Sequence, residues 1–417
     1  MSGGLTKTKR KSKYNLIETY KYADKSGFLL LGYFIVKIVF SRGKTDISAV
    51  DGSAVVFAFY AMLCGFYAWN DLHRDASSKA FFKLLLSKSP MKWFVLYSIL
   101  CFISCLWSPF LVLTAYRAVE CIGMMLIIAS TIKTLVLKCS YQEIMQWCAT
   151  YVFLVVILSF MGGLTSGIGI ALYSCQFPAT IFFYLAFYYA PTFYNRYFVM
   201  TVAVLCKSVT GYVGMTLGMV SLLFGNAKYR VMAVIIGVGL IAAFSTYGVE
   251  EVLNSTIFAS KGGVLVDGQI DDNKTSGRND VWEKATATMI EENKEWIGYG
   301  FVAGETMMAR RIINVTVIGM HNGFLSAYVG TGIIGFVLFS LFMLNAFILT
   351  FKNKIPKDYR PPLIACILTL MVHTYGNPGL GFRVYGTWMP AMFIIVLLIG
   401  LHFKSKYFTR KRRKNKI

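Results

Sequence analysis

A run that begins at His321 combines an ionisable side chain with small residues at fixed spacing. It reads His321, Asn322, nine residues, Gly332, two residues and Gly335. Because histidine titrates near neutral pH, His321 could remove the proton from an attacking hydroxyl group or orient that group. On a helix the two glycines return to within about 40° of the face of His321, where they let another helix come close or leave room for a lipid chain. A packing or capping histidine is the alternative interpretation.

A second set of residues carries positive charge that could bind a phosphate. Ser276 is a good helix N-cap, and Arg278 would fall in the first turn, where free backbone N–H groups attract anions. A guanidinium group matches two phosphate oxygens at once, although a surface ion pair with Asp280 or Glu283 is the alternative for Arg278. The other cations predicted at the outer ends of apolar segments or beside His321 are Arg117, Lys207, Arg310, Arg311 and Arg383. They could line one cavity, or each could extend separately to the lipid headgroups.

The composition indicates the kind of element that positions these residues. Apolar residues make up 56% of the 417 residues and charged residues 15%, and the mean hydropathy is +0.57. Since soluble chains are roughly a quarter charged, the composition argues against a soluble enzyme. The formal net charge is +22, but the basic residues do not follow one surface, so no nucleic-acid partner is expected.

Apolar stretches of membrane-spanning length recur along the whole chain. They predict an all-α polytopic membrane protein with about 12 transmembrane helices and the lipid bilayer as its surroundings. The predicted spans lie at 27–41, 52–70, 93–107, 113–132, 147–165, 172–190, 197–207, 210–225, 231–247, 322–350, 362–376 and 387–403. The seventh, eighth and eleventh of these spans are short, so they are candidates for broken or re-entrant segments.

The basic residues also predict the orientation, because cytoplasmic segments hold an excess of Lys and Arg. With both termini in the cytoplasm, 29 of the 42 basic residues lie on cytoplasmic segments. The chain then divides into an N-terminal transmembrane region, a periplasmic catalytic loop, a C-terminal transmembrane region and a basic cytoplasmic tail. Their predicted bounds are 1–247, 248–320, 321–403 and 404–417.

The predicted periplasmic loop has the pattern of a folded cap. It holds 11 of the 20 acidic residues, and a loop longer than about 15 residues is usually functional or disordered. A helix is predicted from near Ser276 to before Gly298. Its apolar face would carry Val281, Trp282, Ala285, Met289 and Ile290. The large periplasmic loop is therefore expected to be partly helical.

The nine cysteines lie inside or at the edges of apolar segments. Cys101 and Cys105 are one helical turn apart, but they lack the neighbouring His or carboxylate ligands that a metal site needs. We expect no disulfide, no metal and no cofactor.

These residues resemble the bacterial superfamily of O-antigen ligases and of O-antigen and exopolysaccharide polymerases. The pattern His, then Asn, Ser or Gln, nine residues, Gly, two residues, Gly is typical of that superfamily, and the run from His321 matches it completely. The stretches 276–278 with Trp282, 298–301, and 107–109 followed by Arg117 are also similar. One position departs, because the family commonly carries Ser-Arg-Gly before the eighth span, where this chain has Lys207 followed by serine. Lysine keeps the charge but loses the bidentate geometry.

The resemblance implies a metal-independent glycosyltransferase of the bacterial inner membrane, with its active site facing the periplasm or exterior. Its donor would be a glycan on undecaprenyl pyrophosphate, its acceptor a sugar hydroxyl, and its outcome inversion. His321 and Arg278 would be catalytic. The residues that would bind the pyrophosphate are Arg278, Lys207, Arg117, Arg310, Arg311 and Arg383. The residues of the structural motif would be Asn322, Gly332, Gly335 and Trp282.

Two activities within the superfamily remain open. In polymerisation the acceptor is another lipid-linked repeat unit, and in ligation it is the lipid A core. The stretch 276–282 is more similar to exopolysaccharide polymerases, which favours polymerisation and makes a chain-length regulator a candidate partner. A secondary transporter or lipid-glycan flippase is the alternative from another class. About 12 spans would be ordinary for it, although the two halves of the chain share no motif.

The orientation can be tested with single cysteines at the two predicted sides of the membrane. Asp272→Cys should react with an impermeant thiol reagent in whole cells, because residue 272 lies in the predicted periplasmic loop. Lys414→Cys, in the basic tail, should be protected until the cells are opened. Labelling of Lys414→Cys in whole cells, with protection of Asp272→Cys, would show that the predicted orientation is inverted.

Overall fold

The protein is described here from a computed structural model. The ranges that it describes are 25–40, 52–87, 90–164, 175–181, 184–185, 213–214, 216–218, 220–221, 264–266, 269–271, 278–312, 320, 322–351, 355–356, 359–376, 379–381, 384 and 388–414.

Helices make up most of the described residues. They are α1 Lys25–Phe40, α2 Gly52–His73, α3 Ala76–Ser87, α4 Met91–Ile103, α5 Leu111–Lys138, α6 Tyr141–Leu164, α7 Arg278–Glu291, α8 Ala303–Ile312, α9 Gly323–Phe351, α10 Arg360–Gly376 and α11 Trp388–Lys414. Short 3₁₀ turns follow α4 at Ser104–Leu106 and α10 at Gly379–Gly381. In the predicted periplasmic loop, β1 (Val264–Val266) pairs antiparallel with β2 (Gln269–Asp271), and Leu265 lies opposite Ile270.

Several of these helices can cross a membrane. Within the described ranges, five are long and apolar enough: α2, α5, α6, α9 and the part of α11 from Trp388 to Ser405. The pair Ala76–Ser87 and Met91–Leu106 is bent by 75° and would add a sixth span if it crosses as one unit. The prediction of a polytopic helical membrane protein is confirmed. The total of 12 spans and the four-part division of the chain stay predictions, because most of 165–263 lies outside the described residues.

Helix α3 is a feature that the hydropathy pattern did not predict. Phe81, Phe82 and Leu85 are buried on one side, whereas Lys79 and Lys83 are exposed on the other. Asp75 precedes the helix, and the Ser78 N–H donates to its Oδ1 at 2.8 Å. That hydrogen bond lowers the pKa of the Asp75 carboxyl.

Helices α11 and α5 form the centre of the bundle. The most apolar part of α11 is 94% buried and that of α5 is 67% buried, against 28% for α2. Phe393 of α11 stacks on Tyr151 of α6 with ring centroids 4.6 Å apart. On α5, a Cβ at Gly123 would come within 2.9 Å of the Ala61 carbonyl carbon. Small residues therefore let α2 lie directly against α5.

Polar side chains connect the helices at one end of the bundle, which we call the tail end. The Lys133 ammonium of α5 lies 2.5 Å from Oδ2 of Asp71 on α2, and Ser130 donates to the same oxygen. Lys404 of α11 donates to the carbonyl oxygen of Val136 at 2.8 Å. Burying a charge at membrane depth is costly unless it is paired, so the Asp71–Lys133 pair satisfies both charges.

Candidate active site

The opposite end of the bundle, which we call the loop end, is organised by a break in α9. Thr331 has φ −133° and ψ 16°, and Gly332 has φ 67° and ψ −167°, so two residues inside α9 are not helical. Only glycine readily adopts the conformation found at residue 332. The break leaves backbone carbonyl and N–H groups of α9 without their helical partners.

A segment of the chain before α9 lies in this break. Residues 294–301, which we call the docked segment, supply the missing partners. The N–H groups of Tyr299 and Gly300 donate to the carbonyls of Val329 at 3.0 Å and Gly330 at 2.8 Å. In return the N–H of Ile333 donates to the carbonyl of Glu295 at 2.7 Å. The docked segment and α9 are thus joined through backbone hydrogen bonds on both sides of the break.

The motif glycines make room for this arrangement. A Cβ at Gly332 would overlap the carbonyl of Trp296, and one at Gly335 would overlap the hydroxyl of Thr331. The Thr331 hydroxyl itself donates to the carbonyl of Ala327 at 2.8 Å. We predicted that the two glycines face another helix or a lipid chain. In the structure Gly332 faces the docked segment, because the break turns its backbone toward the loop.

The docked segment also contacts the connection between α4 and α5. The Phe301 N–H donates to the hydroxyl of Ser104 at 3.0 Å, and the Thr114 hydroxyl donates to the Phe301 carbonyl at 3.1 Å. The Trp107 indole donates to the carbonyl of Ile297 at 3.1 Å. At Gly300, with φ 111°, a Cβ would lie 2.6 Å from the Cβ of Ser108. The stretches 107–109 and 298–301, which carried part of the family resemblance, therefore meet here.

The chain is held on both sides of His321, which itself lies outside the described residues. The Trp282 indole donates to the carbonyl of Met320 at 2.8 Å, and the Met320 N–H donates to the buried carboxylate of Glu305. After His321, the side-chain oxygen of Asn322 accepts from the N–H of Phe324 at 2.9 Å and caps α9. Residues 320 and 322 thus have fixed backbone positions.

Glu305 is a residue of the candidate site that the sequence did not predict. It lies in the first turn of α8 and is fully buried. The sequence showed it only as one acid among 11 in the loop, and its contact with Met320 spans 15 residues. No local pattern indicates such a contact.

The predicted cap helix exists, with one correction. Val281, Ala285 and Met289 of α7 are buried and pack with residues of α8 and α9, but Ile290 is 60% exposed. Ile290 follows Met289 by one residue, so it lies about 100° away on the helix and misses that face. The helix ends at Glu291, before Gly298 as predicted, because Asn293 adopts φ 54°.

That left-handed residue closes the end of α7. The N–H of Lys294 donates to the carbonyl of Met289 at 2.8 Å and the N–H of Asn293 to that of Ile290 at 3.0 Å. Asparagine tolerates this conformation better than most residues. The chain therefore turns at Asn293 and enters the docked segment.

Among the predicted phosphate-binding cations, the structure describes the side chain of Arg117 alone. Arg117 lies near the start of α5, is 8% exposed, and donates through Nη1 to Glu120 and to the Tyr116 hydroxyl, both at 2.9 Å. Arg278 is the first residue of α7, and Arg310 and Arg311 lie in α8. Their side chains, together with Lys207 and Arg383, lie outside the described residues. The predicted single cavity therefore stays a prediction.

The comparison with protein families falls on this end of the molecule. Residues 197–340 match the family model described as O-antigen ligase. The matched range is about a third of the chain and includes α7, α8, the docked segment and the break in α9. No curated protein matches the chain. The predicted resemblance to the O-antigen ligase and polymerase superfamily is confirmed over this range, and it supports glycan transfer as the general activity.

The hydrogen bond between Trp282 and Met320 can be tested for its effect on transfer. Trp282→Phe keeps an aromatic ring but removes the indole N–H, so the Met320 carbonyl loses its donor. A neutral hydrogen bond contributes about 0.5–1.5 kcal/mol, and we expect glycan transfer to fall roughly two- to tenfold. The measurement is transfer by purified protein, with Trp296→Phe, an exposed indole of the same loop, as the matched control. Equal activities for the two variants would show that this hydrogen bond does not position the site.

Proposed function

We propose that the protein is a bacterial surface polysaccharide polymerase. It transfers a glycan from undecaprenyl pyrophosphate to a sugar hydroxyl of another lipid-linked repeat unit. The observation that carries the proposal is the fixed backbone on both sides of His321, inside a region that matches the O-antigen ligase family model. Both termini lie in the cytoplasm, the membrane is the bacterial inner membrane, and the site faces the periplasm or exterior.

The chemistry needs a base and a stabilised leaving group. The neutral imidazole of His321 accepts the proton of the acceptor hydroxyl while its oxygen bonds to the anomeric carbon of the donor. The bond between that carbon and the phosphate oxygen breaks, and the lipid pyrophosphate leaves with both electrons. Attack on the face opposite the leaving group inverts the anomeric centre.

The leaving group is an anion, and the chain supplies cations for it without a metal. Arg278 is the first residue of α7, where the free N–H groups of the helix end add to the charge of its side chain. A guanidinium can donate two charge-assisted hydrogen bonds to one phosphate. Arg117 of α5 also lies at the loop end. The remaining ligands in the proposal are Lys207, Arg310, Arg311 and Arg383.

Ligation is the second candidate activity, because the matching family model is described as O-antigen ligase. The donor and the chemistry would be the same, and the acceptor would be the lipid A core. We favour polymerisation because the stretch 276–282 is more similar to exopolysaccharide polymerases. A chain-length regulator would be a partner in polymerisation only.

The glycan profile of a deletion strain tests the function. Complementation with the wild-type gene should restore long glycan chains, whereas His321→Ala should not, because no base remains to take the proton. If the protein is a polymerase, the defect leaves a single repeat unit attached to the surface carrier. A bare core with long lipid-linked chains would instead identify a ligase.

Two comparisons make this experiment specific. His73→Ala removes a histidine at the tail end and should behave as the wild type. Arg278→Lys should restore only part of the profile, since lysine keeps the charge without the planar fork. Wild-type chains in the His321→Ala strain, at equal protein level, would refute the catalytic assignment. Movement of labelled lipid-linked glycan across vesicles, with no new glycosidic bond, would support a flippase.

A further inference from the structure

A cluster of charged and phenolic side chains lies inside the loop end of the bundle. The Glu120 carboxylate of α5 is at its centre and is fully buried. Lys37 of α1 lies 3.2 Å from its Oε1, Arg117 lies 2.9 Å from its Oε2, and the Tyr33 hydroxyl donates to Oε1. Among the described residues, one carboxylate thus holds two cations that come from different helices.

The cluster uses one side of the Arg117 guanidinium. Nη1 makes both hydrogen bonds, to Glu120 and to Tyr116. Nε is buried and has no hydrogen-bond partner among the described residues. The edge formed by Nε and Nη2 is the one on which a guanidinium binds two oxygens of a phosphate side by side. A buried donor without a partner is costly, so its retention here indicates a ligand.

The cluster adjoins the site. Tyr116 packs with Ala303, the first residue of α8, and Thr114 of the same helix donates to Phe301 in the docked segment. Lys37 donates to the carbonyl of Val384, in the connection between α10 and α11. The Arg117 side chain is 10% exposed, which leaves it within reach of a ligand at this junction.

We propose that Glu120 is a positioning residue. It fixes Arg117 through Nη1, so that the Nε and Nη2 edge is presented to two oxygens of a phosphate-bearing lipid headgroup. This inference rests on the proposed function, in which Arg117 binds the pyrophosphate of the donor. Glu120 does not touch the substrate, and Tyr33 and Lys37 hold its carboxylate in place.

A purely electrostatic role and a positioning role of Glu120 predict opposite changes in anion affinity. The direction of the change therefore distinguishes the two roles. Removing the negative charge of Glu120 leaves more positive charge near the ligand, so a purely Coulombic role predicts stronger anion binding in Glu120→Gln. If Glu120 positions Arg117, the same substitution frees the guanidinium and weakens anion binding. A merely structural role would lower stability without changing the affinity for the anion.

The experiment is a double-mutant cycle on the purified full-length protein in detergent, with inorganic pyrophosphate as the probe. Calorimetry should give about tenfold weaker binding for Arg117→Lys and also for Glu120→Gln, the size expected for a charge-assisted hydrogen bond. The double variant should bind no more weakly than Arg117→Lys, because coupled residues are not additive. Tyr33→Phe removes a hydrogen bond to Glu120 without changing any charge, and it should weaken pyrophosphate binding about threefold. This variant replaces Glu120→Gln as the test if Glu120→Gln fails to fold.

Asp71→Asn is the matched control, since Asp71 is a buried carboxylate paired with a cation at the tail end. It should lower the thermal stability and leave pyrophosphate binding unchanged. Unchanged or stronger binding in Glu120→Gln, or additive losses in the double variant, would overturn the proposal. A failure of the proposed function would be distinguishable from a failure of this inference. In that case the Arg117 and Glu120 variants would bind pyrophosphate as expected, while the His321→Ala variant would still transfer glycan like the wild type.

Discussion

The backbone hydrogen bonds between the break in α9 and the docked segment are the interaction on which the loop end depends. A backbone N–H or carbonyl inside a membrane protein needs a partner, because the lipid offers none. The break at Gly332 removes partners from α9, and residues 294–301 replace them. The docked segment also forms hydrogen bonds with the α4–α5 connection. The break in α9 therefore joins three parts of the chain: α9, the docked segment and the α4–α5 connection.

This arrangement shows how a loop could position the proposed site. Loops are usually more mobile than the helices that they connect. Here α7 shares an apolar core with α8 and α9, its indole at residue 282 bonds to Met320, and Asn322 caps α9. The stretch around His321 is therefore bounded on one side by loop helices that pack on α9, and on the other side by the start of α9 itself. Val302, a β-branched residue directly after the docked segment, has φ 63°, which is a strained backbone conformation.

Local sequence patterns predicted some of these features and not others. The long apolar helices follow from their length and hydropathy, and the buried positions Val281, Ala285 and Met289 follow from helical periodicity. The contact of Glu305 with Met320 and that of Lys37 with Glu120 join residues far apart in sequence, so no local pattern shows them. The spacing of Gly332 was visible, but its positive φ was not. The sequence prediction placed this glycine on an ideal helix. It could not show the break, because hydrogen bonds to a segment elsewhere in the chain stabilise that break.

Transfer by purified Gly332→Ala protein tests the central claim most directly. A Cβ there would overlap the Trp296 carbonyl, and φ 67° disfavours alanine, so the docked segment must move. A displacement of about 1 Å near reacting groups can lower the rate roughly a hundredfold, and we expect a loss of that order with normal membrane insertion. Gly52→Ala, where a Cβ has nothing within 4 Å, should transfer glycan like the wild type. Wild-type transfer by Gly332→Ala would contradict the claim that docking at the break in α9 positions the site.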